Sequence, residues 1–240
     1  MNIRSYTSIA DIFSIANASS GFLSIIMASM GDLILSAKFM LLAVIFDSVD
    51  GWVARRINRE DECGFGMHMD SLSDIVSFGV APAILIYISS TQYGFNYFNM
   101  AIALVVALLV LICGLLRLSR FNVTADVCKD KFFGLPIPMT ALILGTLYLS
   151  GFFSEYLALF IMILVSLLMI STFEYPKIRD IRVLSIGAIL LIATLLPQKI
   201  VSYVASFPTK LLLVIVLLYL LAVPIIELYN KFFRSGPNVR

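Results

Sequence analysis

Runs of apolar residues long enough to cross a lipid bilayer recur along the whole chain. A transmembrane helix needs roughly 20 mostly apolar residues, and 60% of the 240 residues are hydrophobic whereas only 13% are charged. A water-soluble fold of this length could not bury so much apolar surface. Polar residues and prolines, which interrupt helices, divide the sequence into eight predicted spans: 12–30, 33–56, 68–91, 95–120, 136–151, 153–172, 182–197 and 208–231. The sequence therefore predicts an all-α, polytopic membrane helical bundle, although 182–208 can also be interpreted as one broken segment.

The basic residues indicate how these spans are oriented. If both termini lie in the cytosol, 14 of the 17 lysines and arginines fall in inner segments, and only Lys38, Lys199 and Lys210 fall in outer ones. Lysine and arginine are enriched in the cytoplasmic loops of membrane proteins. We therefore predict a single membrane domain over residues 1–240, with both termini cytosolic, in the cell membrane. No basic run with interleaved aromatic residues suggests nucleic acid as a partner.

Four aspartates lie in two pairs near the inner ends of the second and third predicted spans. Asp47 and Asp50 are three residues apart, and Asp70 and Asp74 are four apart, so each pair lies on one face of a helix. A connection that turns the chain back brings the two faces opposite each other. The sequence thus predicts that four carboxylates converge at the inner membrane boundary.

Such a cluster is unfavourable without counter-charge. One aspartate at a helix centre costs roughly 2.5–3.5 kcal/mol on insertion scales, like charges add repulsion, and Arg55 can neutralise only part of the charge. Carboxylate oxygens are ligands that Mg²⁺ and Mn²⁺ favour, so we predict that all four aspartates bind divalent metal. Gly51, Ala54 and Gly66 lie beside them, where small side chains permit either a closely bound ligand or close helix packing.

This arrangement is similar to the signature of the CDP-alcohol phosphotransferase family. The matched positions are Asp47, Asp50, Gly51, Ala54, Arg55, Gly66, Asp70 and Asp74. The spacer between Arg55 and Gly66 is longer than the family's usual one, and the excess falls in the polar stretch 58–63, where an insertion between spans costs little. The resemblance covers residues 10–150, which would form the catalytic core, whereas residues 151–240 would add transmembrane helices.

Four further stretches resemble the phosphatidylserine synthase branch of that family: 14–21, 70–82, 117–122 and 132–138. The resemblance implies that the hydroxyl of L-serine attacks the lipid-side phosphorus of a CDP-lipid and expels CMP, with two divalent ions bound and Asp74 as general base. It also implies a homodimer. The residues it implies at the CDP-lipid are Gly51, Arg55, Gly66, Ser14 and Asn17.

The acceptor alcohol would lie near the inner end of the fourth span. Arg117 or Arg120 could bind the serine carboxylate through two parallel hydrogen bonds, and Asn122 could add an amide contact. Alternatively, both arginines only mark the inner end of that span. Inositol phosphate or glycerol phosphate as acceptor, and diacylglycerol or archaeol as the lipid of the donor, also stay open.

The alternative from another functional class is a cation transporter, because intramembrane carboxylates also mark ion pathways. Transporters usually distribute polar residues across the membrane depth and break helices near the midplane. Here all four aspartates cluster on one side of the membrane. The sequence therefore favours an enzyme over a transporter.

Overall fold

The computed structural model describes residues 8–57, 64–92, 97–124, 131–176, 181–196 and 207–233, and almost all of them are helical. A π-helical segment, Ile75–Val80, joins α3 to α4. The helices are α1 (Ile9–Ser29), α2 (Leu33–Ile57), α3 (Phe65–Asp74), α4 (Ala81–Gln92), α5 (Tyr97–Thr124), α6 (Pro138–Leu149), α7 (Glu155–Ile170), α8 (Ile181–Leu195) and α9 (Phe207–Phe233).

Each of the eight predicted spans has a helical counterpart, the third being formed by α3, the π segment and α4 together. Four of the segments are long and apolar enough to cross a membrane on their own: 10–29, 65–92, 97–124 and 207–227. Three shorter apolar helical segments are 138–149, 155–170 and 185–195, in α6, α7 and α8. The helical class and the membrane assignment are therefore confirmed, whereas the number of spans and the orientation of the termini stay predictions.

A short turn makes α1 and α2 antiparallel neighbours. Gly31 takes a positive φ of 87°, which glycine adopts without strain, and its N–H donates to the Ala28 carbonyl oxygen at 2.9 Å. The Asp32 carboxylate accepts a hydrogen bond from the Leu35 N–H at 2.9 Å, as a helix-capping aspartate does. The turn thus places the polar face of α1 against the helix that carries Asp47 and Asp50.

The π segment packs tightly against α1 and α6. A Cβ on Gly21 would lie 2.6 Å from Ser77 Cα, so only glycine lets α1 approach so closely. On the other side, the Thr140 hydroxyl donates to the Phe78 carbonyl oxygen at 2.5 Å. A π turn frees backbone carbonyls from the regular i to i+4 pattern and is frequent at functional sites. The segment after Asp74 is therefore held from both sides.

Two three-residue strands are the exception to the all-α prediction. Strand β1 (Lys131–Phe133) pairs antiparallel with β2 (Glu174–Pro176), with Phe133 opposite Glu174. The buried Tyr175 hydroxyl donates to the Leu220 carbonyl oxygen at 3.3 Å, and the Glu174 N–H donates to Glu227 Oε1 at 2.6 Å. Contacts of the small sheet therefore connect α9 to the segments that precede α6 and follow α7.

Candidate active site

Helices α2 and α3 bring three carboxylates together. One oxygen each from Asp47, Asp70 and Asp74 lies within 4.8 Å of the other two. Asp74 is almost fully buried, and Asp47 and Asp70 are partly buried. The two predicted helix faces thus turn towards each other, as the three- and four-residue spacings of the pairs require.

Asp50, the fourth predicted ligand, lies beside this group of three. Its carboxylate is buried and accepts a hydrogen bond from the Ser14 hydroxyl of α1. Its charge acts on both Asp47 and Asp70. All four aspartates therefore interact electrostatically, and three of them offer oxygens to a common point. We call Asp47, Asp50, Asp70 and Asp74 the acidic cluster.

Helix α1 contributes a second polar contact through Asn17. The Asn17 side-chain nitrogen donates to Asp74 Oδ1 at 3.2 Å, and Asn17 is fully buried. Its side-chain oxygen has no hydrogen-bond partner among the described residues. Below it, the Ser77 hydroxyl donates to the Asn17 backbone carbonyl at 2.9 Å, which fixes α1 to the π segment.

The contacts of Ser14 and Asn17 extend what their sequence positions suggested. Both were predicted at the CDP-lipid, and the structure adds that each contacts an aspartate. The signal for this was present in the sequence, since Ser14, Asn17, Gly21 and Ser24 follow one another at helical spacing, and in the fold all of them are buried. A buried polar stripe on an apolar helix indicates polar partners inside the bundle.

Arg117 of α5 supplies positive charge to the cluster. This residue is only 6% exposed, and its charge acts on Asp74, Asp47 and Asp70. The guanidinium also lies 5.1 Å from the Phe121 ring centroid. Sequence reasoning had named Arg55 as the counter-charge; its side chain lies outside the described residues. Positive charge near carboxylates that are withdrawn from water offsets part of the cost of burying them.

Arg120 and Asn122 have well-defined partners in the same region. The Arg120 guanidinium donates to four backbone carbonyl oxygens, those of Phe133, Met169, Ile170 and Ser171. The Asn122 side-chain nitrogen donates to the Ser71 hydroxyl at 2.8 Å, which joins α5 to the helix of Asp70. The predicted contacts of Arg120 and Asn122 with an acceptor stay predictions.

Gly51 and Gly66 lie where the sequence predicted, next to the acidic pairs on α2 and α3, and both are partly buried. Gly51 follows Asp50 directly, and Gly66 precedes Asp70 by one helical turn. Their predicted contacts with a CDP-lipid are not tested by the geometry. The polar stretch 58–63 between these two helices lies outside the described residues.

The donor set fits divalent cations that prefer oxygen. Mg²⁺ binds carboxylate oxygens at about 2.0–2.1 Å, so two oxygens that share one ion lie closer together than 4.8 Å. The three carboxylate oxygens lie within 4.8 Å of one another, and small side-chain movements would bring them to the distances that a shared ion requires. The buried Asn17 side-chain oxygen adds an acceptor without a hydrogen-bond partner among the described residues, directly beside Asp74. Aspartates and an amide oxygen are hard ligands of the kind that Mg²⁺ and Mn²⁺ take.

Comparison with known proteins agrees with this chemistry. Residues 7–173 match the CDP-alcohol phosphatidyltransferase family, which in general depends on divalent metals. The chain is 53% identical to archaetidylserine synthase of Methanothermobacter thermautotrophicus, over 73% of this chain and 72% of that protein. It is 39% identical to CDP-diacylglycerol–serine O-phosphatidyltransferase of Methanocaldococcus jannaschii, over 73% of this chain and 77% of the relative.

A more distant relative shares the same name. The CDP-diacylglycerol–serine O-phosphatidyltransferase of Helicobacter pylori is 30% identical over 72% of this chain and 73% of its own length. The family match covers α1 to α7, including every aspartate of the cluster. This protein is therefore an integral membrane enzyme that belongs to the CDP-alcohol phosphatidyltransferase family.

Proposed function

We propose that the protein transfers the phospholipid part of a CDP-lipid, CDP-archaeol or CDP-diacylglycerol, to the hydroxyl of L-serine and releases CMP. One observation carries the proposal: carboxylates from α2 and α3 meet beside a buried arginine in a chain 53% identical to archaetidylserine synthase. Serine as acceptor rests on the names of the relatives. The reaction chemistry rests on the cluster.

The four aspartates hold two divalent ions, Mg²⁺ or Mn²⁺, in this proposal. Asp47, Asp70 and Asp74 already share one small volume, and Asp50 lies beside them. When bound, such ions bind phosphate oxygens and offset the negative charge that develops during phosphoryl transfer. Without these ions, Arg117 would be the only counter-charge among the described residues for four negative charges.

Asp74 is the general base. It takes the proton of the serine hydroxyl while the serine oxygen forms a bond to the lipid-side phosphorus. The bond from that phosphorus to the bridging oxygen breaks, and its electron pair leaves with CMP, which is stable as an anion and needs no dedicated acid. Asn17 orients the base, because its amide holds Asp74 Oδ1 and so selects one rotamer of the carboxylate.

Arg117 binds the acceptor on the α5 side. Its charge acts on Asp74, Asp47 and Asp70, so a serine carboxylate bound to Arg117 would bring the serine hydroxyl towards the proposed base. Asn122, hydrogen-bonded to Ser71, lies within two turns of Arg117 on the same helix. The predicted acceptor contact of Arg120 is less well supported, because its guanidinium is directed at backbone carbonyls.

The remaining assignments follow the same proposal. Gly51, Arg55, Gly66, Ser14 and Asn17 bind the CDP-lipid, with the cytidine towards the cytosol and the lipid chains in the bilayer. The site faces the cytosol in the cell membrane, both termini lie on that side, and eight spans form one domain. The enzyme acts as a homodimer.

Release of CMP by the purified protein tests the proposal. The protein is incubated with CDP-archaeol or CDP-diacylglycerol, Mg²⁺ or Mn²⁺, and one of three acceptors: serine, inositol phosphate or glycerol phosphate. We expect metal-dependent CMP release with serine alone. Release with one of the phosphorylated alcohols would transfer the same mechanism to another acceptor, and release with none would reject the transferase assignment.

A further inference from the structure

Arg120 has an unusually complete set of backbone contacts. Its Nη1 donates to the carbonyl oxygens of Ile170 at 3.2 Å and Ser171 at 3.0 Å. Its Nη2 donates to those of Phe133 at 2.7 Å and Met169 at 2.9 Å. We call these four oxygens the carbonyl cage. Both terminal nitrogens are used, so the planar fork that would bind a carboxylate bidentately is already occupied.

The carbonyl cage joins three elements. Met169, Ile170 and Ser171 form the C-terminal end of α7, where the last carbonyls of a helix lack partners within the helix and arginine is a favourable neighbour. Phe133 ends β1. One side chain of α5 therefore fixes both the end of α7 and the start of the connection to α6.

Gly134 makes this approach possible. It has a φ of +74°, which favours glycine, and its N–H donates to the Phe173 carbonyl oxygen at 2.9 Å. A Cβ at this position would collide with the Met169 carbonyl oxygen and would lie 2.5 Å from Arg120 Nη2. Any larger residue would therefore separate the guanidinium from this carbonyl and disrupt the carbonyl cage.

Two routes lead from the carbonyl cage to the acidic cluster. Arg117 precedes Arg120 by one helical turn on α5, and its charge acts on Asp74, Asp47 and Asp70, so the position of α5 sets the position of Arg117. The second route runs through α6, whose Thr140 hydroxyl donates to the Phe78 carbonyl oxygen at 2.5 Å. Phe78 belongs to the π segment that begins directly after Asp74.

We propose that Arg120 is a positioning residue, which through the carbonyl cage holds Arg117 and the π segment in place and does not contact the acceptor. This inference rests on the serine transfer proposed above. It assigns different tasks to two arginines that lie one turn apart and that sequence reasoning treated alike. It also explains why the stretches 117–122 and 132–138, both noted in the sequence, meet in the fold.

Steady-state kinetics of Arg120→Lys and Arg117→Lys separates the two tasks. Lysine keeps the charge but is a point donor that cannot occupy four carbonyls. We expect Arg120→Lys to lower kcat about tenfold and to raise the serine KM by no more than about threefold, because Arg117 keeps its own guanidinium, whereas Arg117→Lys raises the serine KM about tenfold. A rise in serine KM with Arg120→Lys equal to that of Arg117→Lys would overturn the proposal. Unchanged kcat and KM would overturn it as well.

A double-mutant cycle, read out by the melting temperature, tests the carbonyl cage without any substrate. Gly134→Ala should lower the melting temperature, and combining it with Arg120→Lys should lower it no further than the worse single variant, because both break the same contacts. Gly151→Ala is the matched control: Gly151 has a φ of +77° but no atom within 4 Å of an added Cβ. Its effect should add fully to that of Arg120→Lys.

Additive effects of Gly134→Ala and Arg120→Lys would overturn the proposal whatever the acceptor is. Absence of CMP release by the unmodified protein would reject the proposed function instead, and would leave the thermal cycle to decide on the carbonyl cage. If Arg120→Lys yields no folded protein, the kinetics of Gly134→Ala take its place: we expect a lower kcat and a rise in serine KM smaller than that of Arg117→Lys. A rise in serine KM as large as that of Arg117→Lys would contradict the inference.

Discussion

The Asn17 side chain of α1 donates to Asp74 Oδ1 of α3 at 3.2 Å, in a position fully closed to solvent. This contact fixes the carboxylate that we propose as general base. It also places an amide oxygen without a described hydrogen-bond partner beside the acidic cluster. The first helix therefore contacts the proposed general base directly.

Replacing Asn17 by alanine should lower kcat. A buried polar group that loses its partner costs about 1–3 kcal/mol, which corresponds to roughly 5- to 160-fold in rate, and here the cost falls on the orientation of Asp74. Measurement of CMP release at saturating serine and CDP-lipid checks the value. Asn99→Ala, which removes only a 3.5 Å contact with the Tyr156 hydroxyl on an exposed surface, is the control. Equal kcat in both variants would contradict the role of Asn17.

Asp74→Asn should abolish turnover while largely sparing divalent metal and CDP-lipid binding. General-base catalysis contributes about 10²–10⁴-fold, and the amide keeps an oxygen that can still face an ion. Binding of Mn²⁺ and of CDP-lipid is measured next to CMP release. A variant that turns over at near-normal rate would show that another group takes the proton.

Asp47→Ala should instead weaken metal binding. This residue provides the only carboxylate that α2 brings into the group of three, and even the partners that orient metal ligands are worth about 10–100-fold in affinity. We expect the Mn²⁺ concentration needed for half-maximal activity to rise by at least about tenfold. An unchanged metal requirement would exclude Asp47 as a ligand.

Gly21→Ala should impair both folding and activity. The added Cβ would lie 2.6 Å from Ser77 Cα, a backbone atom that cannot move without shifting the π segment next to Asp74. Over-packing of this kind typically costs about 1–3 kcal/mol. Thermal unfolding in detergent and CMP release check it, with Gly187→Ala as control because nothing lies within 4 Å of its added Cβ. Equal effects of the two substitutions would argue against the close approach of α1.

Tyr175→Phe should lower stability without a specific effect on catalysis. The substitution removes the hydrogen bond from the buried hydroxyl to the Leu220 carbonyl, worth about 1 kcal/mol, and leaves the ring contact with Tyr219 at 5.5 Å. Thermal unfolding of this variant is compared with that of Tyr97→Phe, whose side chain is 92% exposed. A loss of stability in the Tyr97 variant alone would be inconsistent with the anchoring of α9.

The helices, and the close approach of the two aspartate pairs, could be predicted from the sequence for a physical reason. Apolar length and basic loops are local properties, and spacings of three and four fix a helix face irrespective of the partner. Asp47, Asp70 and Asp74 therefore came together as predicted. Asp50 lies beside them and accepts a hydrogen bond from the Ser14 hydroxyl, and its role as a metal ligand stays a prediction.

Features that depend on packing between distant segments had no such local signal. Strands of three residues are too short for an alternating pattern, and the extra residue of the π segment leaves the apolar run 75–80 unchanged. The contacts of Arg120 with carbonyls 13 to 51 residues away arise from the tertiary arrangement alone. Hence Arg117 and Arg120, alike in sequence, lie in different surroundings.

The border of the family match has a consequence for how this enzyme can be divided. The match ends at residue 173, and β2 begins at Glu174, whose N–H is held by Glu227. A graft of residues 7–173 into another scaffold would carry β1 with an open hydrogen-bonding edge and would leave its partner strand behind. A graft that keeps the strand pair and its contact with Glu227 intact would therefore have to extend beyond the family match and include α9.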